Sequence, residues 1–189
     1  MVIFSRLSEQ TLDFFSKGFN MKLQDFKWLA GLITSVFFAT TALATTPKMI
    51  TVTQKHNIRV VYDIDQNQME AGVGQGLYYV RGLLESYKKQ GIALKELHIV
   101  VVVHGSAVSW TLNNKTYEKY MANPFTPNPN EQIIKELIAH GVSVEACNVS
   151  LREHHWTAKN VMPGVAVTFD AYTRMIDLQM QGYAYIKLP

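Results

Sequence analysis

Gly141-Val-Ser-Val-Glu-Ala-Cys147-Asn-Val-Ser-Leu-Arg-Glu153 changes its period halfway along. The first half alternates, with Val142, Val144 and Ala146 on one side, the pattern of a buried or half-buried strand. The second half holds Ser150-Leu-Arg-Glu153, an S-x-x-E capping box that predicts a helix from Leu151 to about Ala158. A strand that runs into a helix is half of a parallel βαβ unit. Cys147, the chain's single cysteine, sits at the join. A thiol there faces the positive end of the helix dipole, which favours the thiolate, its reactive form.

Working outward, the same alternation of element types recurs. Upstream lies Glu96-Leu-His-Ile-Val-Val-Val-Val-His104, whose run of consecutive aliphatic residues suits a central parallel strand covered on both faces. Ile58-Arg-Val-Val-Tyr-Asp-Ile64 is a first strand. A polar loop over 65–70 leads to a helix with Leu77, Val80, Leu83, Leu84 and Tyr87 on one face, ended by Gly91. Residues 107–121 read as a helix carrying Tyr117 and Tyr120. Asn123-Pro-Phe-Thr-Pro-Asn-Pro-Asn130 must be a non-helical loop. A helix over 131–140 follows, with Ile134, Leu137 and Ile138 on its face and His140-Gly141 at its end. Beyond the cysteine come a strand over 164–169, a helix over 171–181 and a last strand over 183–187. Residues 58–189 are thus a single α/β domain, a three-layer parallel sheet.

The amino-terminal part has another character. Lys22 and Lys27 precede an apolar stretch over 28–41, and Ala42-Leu-Ala44 has the form of a signal-peptidase site. Residues 21–44 therefore read as a signal peptide for export to the periplasm. The apolar run is shorter than the roughly 20 residues a spanning helix needs, so no membrane span is expected after cleavage. Residues 1–20 read as an upstream extension arising from a mis-assigned start, and 45–57 as a linker or weak edge strand. In an oxidising compartment a lone cysteine has no intrachain partner. The net charge of +3 comes from no Lys/Arg cluster, which argues against a nucleic-acid partner.

Ligands of open α/β sheets bind at the carboxyl ends of the strands. Asp63 or Asp65, His104, Cys147 and Asp170 all fall at such ends. His104 is the candidate to lower the thiol pKa or to move its proton. His154 and His155 could add two nitrogens for zinc, but neighbours on a helix point about 100° apart, and no metal site is expected. Gly72-Val-Gly-Gln-Gly76 has the wrong spacing and position for a phosphate loop, so no nucleotide, flavin or other cofactor is expected. Tyr78, Tyr79 and Trp110 read as core or subunit-interface aromatics.

The cysteine segment, with Gly141-Val142, Cys147 and a helix bearing Arg152, resembles that of the DsrE/DsrF-like sulfur-relay family. The strand ending in His104-Gly105, Met162-Pro163-Gly164-Val165 and Leu178-Gln-Met-Gln-Gly-Tyr-Ala-Tyr185 fit the same family in the same order. The resemblance implies a flavodoxin-like topology, homo-oligomers (trimers or hexamers), and a sulfurtransferase-like carrier holding sulfane sulfur as a persulfide on Cys147. Sulfur donor and acceptor proteins would be its partners. Asp63, Arg152 and His154 are the accompanying ligand-binding candidates. His154-His155-Trp156 stands where relay members often have a basic or glycine turn, and an export signal departs from their cytoplasmic setting. The competing expectation is a non-enzymatic, oligomeric periplasmic protein that binds a small ligand or metal at the same sheet edge.

Overall fold

A computed structural model describes residues 46–188. The expected signal segment (21–44) and upstream extension (1–20) lie outside the described residues. In chain order the elements are β1 (Ile58–Ile64), β2 (Met69–Glu70), β3 (Val73–Gly74), α1 (Gln75–Lys89), β4 (Leu97–Val103), α2 (Asn114–Tyr120), α3 (Glu131–Ala139), β5 (Ser143–Cys147), α4 (Asn148–Glu153), β6 (Ala166–Thr168), α5 (Ala171–Met180) and β7 (Ala184–Leu188). Five strands form one parallel sheet in the order β6-β5-β4-β1-β7. It is the three-layer α/β arrangement expected from the alternating patterns.

The path of the chain decides which helices lie on which side. From β1 through β4 and β5 to β6 every step goes the same way, so right-handed crossovers put α1 and α3 on one face. The step from β6 to β7 returns across the whole sheet, and α5 packs on the opposite face against β1 and β4. Strand alternation then divides the core. Tyr62, Ile64, Val101, Val103 and Val144 meet Leu77, Val80, Ile134 and Leu137 of α1 and α3. Val61, Val100, Val102 and Cys147 meet Ala171, Met175 and Leu178 of α5. Each fully buried leucine here contributes about 1.5–3 kcal/mol.

Three expectations change. The helix over 107–121 is two pieces, a 3-10 turn over Gly105–Thr111 and α2. The Asn128 amide donates to the Trp110 and Leu112 carbonyls at 2.8 Å each, taking acceptors that a continuous helix would need. Asn113 then restarts the helix as N-cap, its side chain accepting from Thr116 N–H. Second, α4 begins directly after the strand, with Cys147 itself in the N-cap position. Ser150 is not the cap, because its hydroxyl accepts the Gly105 N–H at 2.9 Å. The capping box of this region lies further on, at Thr157 and Asn160. Third, the loop over 65–70 contains β2, paired antiparallel with β3. Residues 46–57 form no strand.

Candidate active site

Parallel register assembles the site. Val103 pairs with Ala146, so the next residues, His104 and Cys147, stand side by side at the carboxyl ends of β4 and β5. His104 keeps extended backbone (φ −145°) and its N–H donates to the Ile64 carbonyl at 2.9 Å, continuing the ladder with β1. The chain must then turn sharply. Gly105 takes φ +52°, and a Cβ there would lie 2.7 Å from the Asp65 carbonyl oxygen, so only glycine fits.

His104 and Cys147 belong to the face covered by α5, as does Asp63 on β1. His104 Nε2 lies 2.7 Å from Asp63 Oδ1, both side chains being buried. The neighbouring β7 supplies two more donors to the same carboxylate. Tyr185 Oη donates to Oδ2 at 2.6 Å and Lys187 Nζ to Oδ1 at 3.1 Å. Burial pushes the Asp63 carboxyl up, but the bonds from His104, Tyr185 and Lys187 outweigh it and hold the group at about 2. Asp63 is therefore an ionised acceptor, and the hydrogen bond to it engages Nε2 of His104, leaving Nδ1 as the ring nitrogen without that partner. Lys187 also pairs with Asp65 at 2.8 Å. Tyr172 on α5 sets its ring edge-on to His104, centroids 5.4 Å apart.

Cys147 is 2% exposed, packed beneath the first turns of α5 against Ala171 and Met175. Two residues before it on the same strand side, Glu145 receives both Arg174 Nε (2.8 Å) and Nη2 (2.9 Å). This bidentate pair pins α5 over β5 and so holds the cover of the thiol in place.

The sequence candidates therefore separate into two groups. Cys147, His104 and Asp63 share one sheet face and one edge. Arg152 and His154 lie at the far end of α4, exposed, with the His154 ring stacked on Trp156 at 4.7 Å. Asp170 caps α5 by accepting Thr173 N–H at 2.8 Å. Among the described residues no group of His, Cys, Asp and Glu is arranged to hold a metal. Sequence reasoning missed Tyr185, Lys187, Tyr172 and Glu145. The first two have a detectable signal only after β7 is paired with β1, since they alternate toward Asp63 in that register.

Comparison with known proteins agrees with this architecture. Protein MTH1491 from Methanobacterium thermoautotrophicum, a protein of unknown function, superposes with a TM-score of 0.52 at 24% identity over 69% of this chain and 99% of its own. The ychN protein from E. coli superposes with a TM-score of 0.50 at 13% identity over the same shares. No curated protein matches the sequence. The DsrE/DsrF-like family matches residues 38–188, which include every described residue. The chain belongs to the DsrE/DsrF-like family.

Proposed function

We propose that the protein is a sulfur carrier that accepts sulfane sulfur on Cys147. The observation that carries this reading is the register placing the only thiol beside a histidine whose other nitrogen is fixed by an ionised aspartate. His104 Nδ1 takes the thiol proton, and the sulfur anion attacks the outer sulfur of a polysulfide or persulfide donor. The donor's S–S bond breaks, the donor leaves as a thiolate (from a persulfide) or a shortened polysulfide anion (from a polysulfide), and Cys147 holds a persulfide. An acceptor thiolate then attacks the terminal sulfur and returns Cys147 to its starting state. Family membership supports a relay of this kind.

The functional unit in this reading is a homo-oligomer, a trimer or hexamer. Phe169, just before α5, and Tyr172, Ile176 and Met180 on its outer side support it, forming an exposed apolar row next to the site. Incubation with polysulfide followed by intact-mass measurement tests the carrier reading. The wild type should gain one sulfur atom per chain, and Cys147→Ser none, because a hydroxyl is a poor sulfur nucleophile. An adduct retained in Cys147→Ser would end it.

A further inference from the structure

A concavity of about 620 Å³ lies beyond the far end of α4 from the thiol. Lys115 and Lys119 of α2, Lys159, His154, His155 and Trp156 line it, and no carboxylate does. Among the described residues none of the three lysines makes an ion pair. Concentrated positive charge without counter-charge attracts anions and repels cations.

The walls are fixed before any ligand arrives. Asn113 N–H donates to the Asn160 carbonyl at 2.9 Å and the Asn113 amide to the Lys159 carbonyl at 3.2 Å. Asn160 reaches back to the Thr116 hydroxyl at 3.2 Å. The turn that brings the histidines in is strained. His155 has φ +58°, a position after a helix end where glycine is the usual residue, and the turn is closed by Trp156 N–H on the Leu151 carbonyl at 2.8 Å. A histidine here costs backbone energy and puts an imidazole on the wall. One side is aromatic: His154 stacks on Trp156, and Tyr120 meets Trp156 edge-on at 5.3 Å.

We propose that this cleft binds a small organic polyanion carrying a flat ring, a ligand of the nucleoside-phosphate class. At about 620 Å³ the cleft has room for a whole organic ligand, well beyond a lone tetrahedral oxyanion. Three lysines on two elements suit two or more negative charges, and the stacked His154–Trp156 wall suits the ring. The site is separate from the thiol and goes beyond the sulfur-carrier reading.

Calorimetric titration of the full chain with ADP, adenosine and inorganic pyrophosphate, without divalent metal, tests the proposal. ADP should saturate one site per chain, with adenosine and pyrophosphate each weaker by roughly tenfold or more. Lys119→Glu/Lys159→Glu changes two exposed side chains, should leave the circular dichroism spectrum as in the wild type, and should weaken ADP by roughly tenfold or more. No saturable ADP binding, or equal affinity in the folded double variant, would overturn the proposal. Pyrophosphate binding as tightly as ADP would overturn the ring's part in it.

Discussion

Asp63 carries more structural consequence than any other residue of the edge. It lies between β4 and β7, receives His104, Tyr185 and Lys187, and is 4% exposed. Its folded value of about 2 lies below its ordinary value of 3.8, so it stabilises the fold fully above pH 3.8 and loses that contribution as pH falls toward 2. The difference corresponds to about 2 kcal/mol. Asp63→Asn should therefore destabilise the protein by about 1–3 kcal/mol at neutral pH, measured by urea unfolding. The gap between wild type and variant should narrow as pH drops through that window, and a gap constant with pH would refute the assignment. Asp63 was legible as a strand-end aspartate from Ile58–Ile64 alone. Its partners were not, because Tyr185 and Lys187 lie more than a hundred positions away and meet it only through the tertiary pairing of β1 with β7.

Helix α5 is the element that controls the thiol. Its inner side, Ala171, Met175 and Leu178, closes over Cys147, and Arg174 ties it to Glu145. In the proposed carrier, sulfur would reach the buried thiol through local opening of this cover. Arg174→Ala leaves Glu145 without its charged partner and frees the helix from β5. Alkylation of native protein by iodoacetamide should then speed up about tenfold, equivalent to about 1.4 kcal/mol of easier opening. An unchanged rate would show that α5 does not gate Cys147. Period-3.6 patterning identified α5 nearly to the residue, since 171–181 was expected and Ala171–Met180 is found. The same reasoning failed at 107–121, where no local signal announces that Asn128 will take the Trp110 and Leu112 carbonyls. It also misplaced the start of α4, because Ser150 has the right spacing for a cap but a nearer donor in Gly105.

At the scale of the molecule, among the described residues the strand order leaves one sheet face with a single helix, and that helix carries an exposed apolar row opposite its buried one. Phe169 and Met180 are 80% and 84% exposed at the two ends of the outer row, which a second copy would cover. Light scattering should give a trimer or hexamer, and Ile176→Glu/Met180→Glu should shift it to smaller species while the fold persists; a monomeric wild type would contradict the oligomer. The sheet, its parallel sense and the family were readable from alternating strand and helix patterns and from the segments around His104 and Cys147. The grouping of Asp63 with His104 and Cys147 followed from the rule that sites lie at strand ends. The separation of Arg152 and His154 from them did not, because α4 starts at Asn148 and carries both to its other end. The account stands on His104 acting for Cys147, and His104→Gln isolates that point, since its amide N–H still serves Asp63 while the imidazole base is gone. The rate of persulfide loading from polysulfide at neutral pH should fall about a hundredfold in this variant, with its loading capacity retained; a rate equal to that of the wild type would contradict the account.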